Sequence, residues 1–241
     1  MYKNKLSIII PCKNEEDSIL ETVNNLMNKI KSIDHEIILI NDYSTDKTSV
    51  ILQKLAKDNK KIRSYNNFIP GIGGAIKLGI KKSLGEFLTI MMADSSDDPY
   101  DLVRYYNLIN AQNLDAVFGS RFTKSSRVTN YPLKKLVLNR FFNYFIKIII
   151  CSKYNDFTNA FKIYKTSSLK KIQPFISKNF NIFLEIPLKI ILYNFEYKII
   201  PINWYNRKYG VAKFKIKELG SQYLFTLFYV LIKKVLKKYS I

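Results

Sequence analysis

Phe87-Leu-Thr-Ile-Met-Met-Ala-Asp-Ser-Ser-Asp-Asp-Pro99 is the stretch on which the reading of this chain turns. Mostly apolar residues run from Phe87 to Ala93, then Asp94, Ser95, Ser96, Asp97 and Asp98 lead to a proline. The pattern predicts a buried strand over 87–93 that delivers carboxylates to its C-terminal tip. In an open α/β sheet that tip borders the crevice where ligands sit. Acidic side chains placed there suit a divalent cation held against a phosphate. A simpler use competes for two of them, because Asp97 or Asp98 ahead of Pro99 makes a helix cap that needs no metal.

Outward from this strand the texture alternates. Leu6–Pro11 and His35–Asn41 are short runs rich in β-branched residues, and Ile62–Tyr65 is a weaker one. Helical spacing follows each run. Leu20, Val23, Met27 and Ile30 share a face behind a cap at Asp17 or Ser18. Ile51, Leu52 and Leu55 follow a cap at Asp46, and Ile76, Ile80 and Leu84 follow the loop bearing Gly71, Gly73 and Gly74. A helix from Pro99 and a strand over 114–119 complete the first half. Strand–helix alternation predicts an α/β fold, a mostly parallel central sheet with helices on both faces. Right-handed crossovers put the strand ends on one edge. Pro11–Glu15, Asn41-Asp42, Gly71–Gly74 and Asp94–Asp98 then converge in a single crevice.

The second half differs. Residues 1–120 hold 15 Lys and Arg against 15 Asp and Glu, so the whole net charge of +20 falls in residues 121–241. An anionic membrane surface or nucleic acid is the usual partner of such asymmetry. A compositional bias toward Lys, Ile and Asn would also raise the lysine count, but it leaves the balanced first half unexplained. Leu133–Cys151 is a long helical pattern with Val137, Phe141, Phe142, Phe145, Ile148 and Ile149, interrupted by Lys134, Lys135, Arg140 and Lys147. Those charges argue against a bilayer span and for a helix lying in the interface; packing into the core or against a second copy would use the same aromatic stripe. Asp156–Lys165 and Tyr197–Asn203 read as strands, Phe180–Tyr193 as a helix, Asn206–Lys213 as a basic loop. A last helix holds Tyr223–Ile232 and ends in lysines. No repeat or linker divides the chain, so one domain over 1–241 is expected. Its basic residues alternate with aliphatic runs and form no nucleic-acid reading module, so nucleic acid is not expected as a partner.

Cys12 and Cys151 are far apart and read as reduced thiols of a cytosolic protein. The single histidine, His35, makes a Ser/His/Asp triad or a histidine-ligated metal improbable. The N-terminus enters a strand directly, with no signal peptide expected ahead of it.

Seven segments, in order, carry a family resemblance: IIIPCKNEE from Ile8, ILINDYSTDKT from Ile38, GIGGAIKLGI from Gly71, MMADSSDDP from Met91, FGSRF from Phe118, DFTNAFKIYK from Asp156 and RKYGVAKF from Arg207. The chain resembles the inverting family-2 glycosyltransferases of the GT-A fold, and within them the dolichol-phosphate mannosyltransferases and other polyprenyl-phosphate sugar transferases. The resemblance implies a nucleotide-diphosphate sugar donor, a polyprenyl phosphate acceptor, Mg²⁺ or Mn²⁺ as cofactor, and residence as a peripheral protein on the cytoplasmic membrane's inner face. A membrane-protein partner or a homo-oligomer is compatible with it. On it, residues 1–120 are the nucleotide-sugar half and 121–241 the acceptor and membrane-facing half.

Residue by residue, Asp94 matches the metal-binding second aspartate of the family's DxD motif. Met92 stands where the first belongs, so Asp97 or Asp98 would have to replace it, and Ser96 falls where the family often places a glutamine ligand. Pro11, Asn14 and Glu15 match the loop along the nucleotide. Asn41 and Asp42 match the site for base and ribose, although both also suit a tight turn. Gly73, in a loop that lacks the dinucleotide-binding spacing, would let the backbone approach the nucleotide or simply serve the turn. Arg121 matches a phosphate-pairing arginine. Asp156 and Asn159 lie in a segment the family usually writes DxxSGF, and Asn159 and Ala160 depart from it. Arg207 and Lys213 match the basic loop that closes over the diphosphate or the acceptor, or are solvated; Lys135 and Arg140, on the amphipathic helix, are placed to meet lipid headgroups or the lipid phosphate. A saccharide hydroxyl is the alternative acceptor; it would need a carboxylate base, for which Asp156 is the candidate. A non-catalytic membrane or nucleic-acid binder is the remaining alternative.

Overall fold

Strand β1 (Tyr2–Cys12) is the hinge of the sheet. It pairs in parallel with β2 (His35–Asn41) on one side and with β4 (Gly85–Ile90) on the other. The computed structural model describes residues 1–206 and 216–238. Beyond β2 lies β3 (Ile62–Asn66), also parallel. Beyond β4 lie β7 (Lys162–Lys165), then β5 (Ala116–Ser120), then β8 (Tyr197–Pro201), which gives the order β3-β2-β1-β4-β7-β5-β8. All pairings are parallel except those of β7, which runs antiparallel to both β4 and β5.

Helices cover both faces, as the alternating pattern predicts. Along β1 the pleat sends Leu6, Ile8 and Ile10 to one face and Ile9 to the other. The first face packs under α1 (Ile19–Lys29), α2 (Thr48–Asp58) and α4 (Pro99–Ala111). The second packs under α3 (Ile72–Lys82), α6 (Thr166–Lys171), α7 (Ile182–Leu192) and α8 (Ile216–Lys238), with Ile146 of α5 (Leu133–Ile149) joining it. Near-continuous burial along β1, β2 and β5 is what a strand covered on both faces requires.

Boundaries differ from the sequence reading in informative places. The strand expected at 87–93 is β4 over Gly85–Ile90, and the chain leaves the ladder at Met91, whose N–H still reaches Ile9 O at 3.0 Å. The strand expected over 156–165 is only β7, because the preceding residues turn, with Asn159 N donating to Asp156 O and Phe161 N to Asn159 Oδ1. The Asp46 carboxylate does accept from Thr48 N at the start of α2, but Lys47 occupies the cap position. Ser18 occupies the cap of α1 without a side-chain capping bond. A short parallel pair, β6 (Val128–Thr129) with β9 (Trp204–Tyr205), and α6 had no clear periodic signal.

Candidate functional site

The order reverses at β1, and the turns after β1, β2, β4 and β5 gather at one edge, the place where an open sheet leaves a crevice. The turn after β4 is tightly specified. Thr22 of α1 donates its hydroxyl to Ala93 O at 2.9 Å and lies 2.7 Å from the Ser95 hydroxyl. Ser95 takes a left-handed φ of 58°, which folds the chain back on itself. Ser96 N donates to Asp94 Oδ1 at 3.1 Å, and Met92 N donates to Asp97 Oδ2 at 3.0 Å. Asp98 points the other way and caps α4 by accepting from Tyr100 N at 2.9 Å. The competition left open by the sequence is therefore divided: Asp98 is the cap, and Asp97 returns its carboxylate to the backbone of Met92. Burial, reinforced by the neighbouring Asp94, raises the Asp97 pKa to about 7 against the lowering effect of the Met92 hydrogen bond.

Across the crevice, Arg121 is locked rather than free. Its Nε and Nη2 meet Asp156 Oδ2 and Oδ1 at 2.9 and 2.7 Å, and its backbone N–H donates to the same carboxylate at 2.8 Å. Burial opposes the guanidinium charge, but Asp156 outweighs it and holds the Arg121 pKa above its ordinary value. The bidentate fork expected to grip a phosphate is thus engaged by Asp156, while Arg121 as a residue still borders the cavity. Asp156 is fully buried and does not line the cavity, so the position of a general base for a saccharide hydroxyl is not one it occupies. Lys162 lies beneath, donating to the carbonyls of Phe157 and Asn159. Burial lowers its pKa to about 7 despite Asp156. Asn159 accepts from Phe161 N and donates to Gly119 O, so its side chain also serves the turn.

Between these groups is a cavity of about 310 Å³. Asp94, Ser96, Asp97, Arg121, Lys135 and Asn159, all singled out from sequence, line it. Its remaining wall is largely aromatic and aliphatic: Leu138 and Phe142 from α5, Phe180 and Phe183 around the start of α7, Trp204 and Tyr223. Sequence reasoning missed this wall. Lys135, Leu138, Asn139 and Phe142 carry a helical 3–4 spacing that places them together, whereas Phe180, Trp204 and Tyr223 arrive by tertiary folding alone. Arg140 lies outside the cavity, its guanidinium 5.3 Å from the Phe122 ring. Arg207 and Lys213 fall outside the described residues.

The other half of the crevice follows β1–β3. Pro11 is buried opposite Ile40. Asn14 and Thr45 tie the two loops together: Thr45 N donates to Asn14 Oδ1 at 2.8 Å. Glu15 N donates to Thr48 Oγ1 at 2.8 Å. Asn41 accepts from Ser44 N at 3.2 Å. Asp42 is buried, with Oδ1 accepting from Asn67 Nδ2 at 2.8 Å and Gly71 N at 3.0 Å. Asn67 is thus a shaping residue that the sequence did not flag. Gly73 has a packing reason: its N–H donates to Lys178 O, and a Cβ there would lie 2.5 Å from Ser177 O. The start of α3 abuts the 177–178 backbone, which fills the side of Gly73 on which a Cβ would stand.

The acidic turn fits a hard divalent cation. Two carboxylates and a serine hydroxyl line one cavity within four residues. Mg²⁺ is held in many sites by one or two carboxylates, with substrate phosphates and water completing the shell. Among the described residues no group of three acidic, histidine or cysteine side chains comes together.

Comparison with known proteins supplies the wider frame. A family model described as glycosyl transferase family 2 matches residues 7–173. The polyprenol monophosphomannose synthase of Mycolicibacterium smegmatis is 25% identical over 230 residues, covering 88% of this chain and 86% of its own. The dolichol-phosphate mannosyltransferase of Pyrococcus furiosus is 28% identical over 138 residues, 56% of this chain and only 38% of that protein. Among solved structures, the glucosyl-3-phosphoglycerate synthase of Mycobacterium tuberculosis, in complex with Mn²⁺, uridine diphosphate and phosphoglyceric acid, superposes with a TM-score of 0.70 at 16% identity. That match covers 94% of this chain and 78% of the synthase. The shared architecture is the GT-A fold.

Proposed function

The chain belongs to glycosyl transferase family 2, and from that premise we propose that it moves a sugar from a nucleotide-diphosphate donor to a polyprenyl phosphate, with inversion. The observation that carries the acceptor class is the cavity itself: beside Asp94 and Asp97 its wall is Leu138, Phe142, Phe183 and Tyr223, with Lys135 as the added cation. Such a wall suits an isoprenoid ending in a phosphate. The M. smegmatis relative, named for a polyprenol product, points the same way.

The donor would lie along β1–β3, its base and ribose toward Asp42, Asn14 and Glu15 and its diphosphate toward Asp94. Asp94 and Asp97, with Ser96 beside them, would hold Mg²⁺ or Mn²⁺, as expected for a site that meets a diphosphate. A cation held by these residues would supply the positive charge that offsets what grows on the departing diphosphate. A phosphate monoester loses its second proton near ~6, so the acceptor is a nucleophile at neutral pH and needs no strong base. In-line attack by its oxygen on the anomeric carbon, from the side opposite the diphosphate, inverts that centre. Lys135 balances the acceptor's charge, and Arg121, oriented by Asp156, brings its charge to the reacting phosphates. The work of the protein is positioning and charge stabilisation. Asp156 is engaged by three donors of Arg121, which weighs against the saccharide-hydroxyl reading.

The test is a panel of nucleotide sugars offered to purified protein with and without a polyprenyl phosphate, in Mg²⁺ or Mn²⁺ and in chelator. Transfer to the lipid phosphate is expected, with loss in Asp94→Asn at an unchanged circular-dichroism spectrum. Transfer to a sugar alcohol alone, or normal turnover by Asp94→Asn, would overturn the reading.

A further inference from the structure

We propose that α5 and α8 together form a docking face for an anionic lipid bilayer, a surface separate from the reacting groups. A helix of a globular protein ordinarily turns its apolar stripe inward. Helix α5 does the reverse on one side. Val137, Phe141, Tyr144 and Ile148 follow helical spacing and are 58–69% exposed, while the inward side is made by Asn143 and Ile146. Helix α8 repeats the arrangement with Leu224, Phe228, Ile232 and Val235, flanked by Phe225 at 63% exposure. Its inward side is Tyr223, Leu227 and Val230. The Phe142 and Tyr223 rings meet at 5.7 Å, so the two helices are neighbours. Two adjacent stripes of this kind exceed the scattered exposed apolar residues normal on a protein surface and mark an interaction site.

The charge pattern selects the occupant. Helix α5 carries Lys134, Lys135, Arg140 and Lys147 and no acidic residue. The end of α8 adds Lys233 and Lys234, followed by Lys237 and Lys238. A second copy of the chain docked on this face would bring cations against cations. Anionic headgroups accept the same cations favourably, and combining an apolar stripe with basic residues is how interfacial helices hold a membrane surface. No helix among the described residues is long and apolar enough to cross a bilayer, so these helices lie in the interface. Both also line the cavity, through Lys135, Leu138 and Phe142 of α5 and Tyr223 of α8. A membrane-borne ligand would then reach the cavity along the face that docks.

The experiment uses neither donor nor acceptor. Purified protein is pelleted with vesicles of phosphatidylcholine alone, or of phosphatidylcholine mixed with phosphatidylglycerol, at low and high salt. Sedimentation with the anionic vesicles, partly reversed by salt, is expected. Combining Lys134→Gln, Lys233→Gln and Lys234→Gln should weaken anionic partitioning about 100-fold, roughly fivefold for each basic residue lost. Combining Phe141→Ser, Phe225→Ser and Phe228→Ser should weaken binding to both vesicle types. All six positions are exposed, so unchanged thermal unfolding serves as the folding control. Failure of the wild type to bind either vesicle, or equal binding by wild type and both variants, overturns the proposal. So does a dimer in sedimentation velocity that the phenylalanine variant converts to monomer while vesicles recruit neither protein. Turnover with a water-soluble short-chain prenyl phosphate tests the transfer reaction separately, so either idea can fail alone.

Discussion

Replacing Asp156 by Asn removes a charge and almost no volume, so its cost isolates the ion pair at the base of the cavity. In the wild type the carboxylate accepts Arg121 N, Nε and Nη2 at 2.7–2.9 Å, with Asp156 fully buried and the Arg121 side chain 7% exposed. Asn keeps one carbonyl acceptor but turns an N–H₂ toward a guanidinium nitrogen, leaving a buried cation without compensation. Breaking a buried pair in this way costs ~3–5 kcal/mol, against a total stability of roughly 5–15 kcal/mol for a folded domain. With a urea slope of about 3 kcal/mol/M at the upper end for small proteins, the unfolding midpoint should fall by roughly 1 M or more.

The control is a double-mutant cycle. Arg121→Met alone should cost a similar amount, since it strands Asp156, while Arg121→Met with Asp156→Leu should recover most of the loss because neither charge remains. Urea unfolding followed by far-ultraviolet circular dichroism measures all four proteins. Costs below ~1 kcal/mol for the single variants, or a double variant as unstable as the sum of the singles, would refute the pairing as a structural clamp. On the proposed reading, transfer activity should be lost even in the stable double variant, because Arg121 would no longer bring its charge to the cavity.

Three further outcomes follow from the geometry. Asp97→Asn can still accept the Met92 N–H bond, so a purely structural Asp97 predicts unchanged metal dependence; a ligand predicts that the Mn²⁺ concentration for half-maximal transfer rises about 10–100-fold. Gly73→Ala puts a Cβ 2.5 Å from Ser177 O and 2.7 Å from Lys178 C, both backbone atoms that cannot yield; a loss of ~1–3 kcal/mol is expected, read by calorimetry as a lower Tm. Lys162, with its folded pKa lowered to about 7 from 10.5, binds fewer protons folded than unfolded between those values. Stability should therefore rise with pH across that window, by up to about 1.4 kcal/mol per unit; urea midpoints of wild type minus Lys162→Met at pH 7 and 9 measure it, and a pH-independent difference would contradict the burial.

The sheet was legible because its signals are local. β-branched runs such as Ile8–Ile10 and Ile37–Ile40 admit little but a buried strand, and parallel connection then follows from the helical spacing between them. Asp94, Ser96, Asp97, Arg121, Lys135 and Asn159 were identified as site candidates and all border the cavity. What their side chains do was less legible. Arg121 read as a free fork because its partner lies 35 residues away, in a turn whose composition looked like a strand. The aromatic wall was hidden for a related reason: Phe180, Trp204 and Tyr223 come from three separate segments, and nothing in their spacing says they face one volume. Gly73 left a nucleotide contact and plain turn chemistry both open, because a glycine loop does not say which backbone packs against it; here residues 177–178 do.

Met92 is where the chain departs from the family pattern, and the fold shows how the departure can be tolerated. A DxD motif spaces two carboxylates two residues apart on one extended segment. Here the left-handed Ser95 reverses the chain, and Asp97 Oδ2 returns to within 3.0 Å of the nitrogen of Met92. A carboxylate thereby lies beside the backbone position whose own side chain cannot supply one. The exchange carries a cost, because Asp97 is buried and its pKa is raised to about 7. On the proposed reading, a cation held against a diphosphate would offset that cost. Asp97, whose charged form burial disfavours, would then gain more from the cation than Asp94.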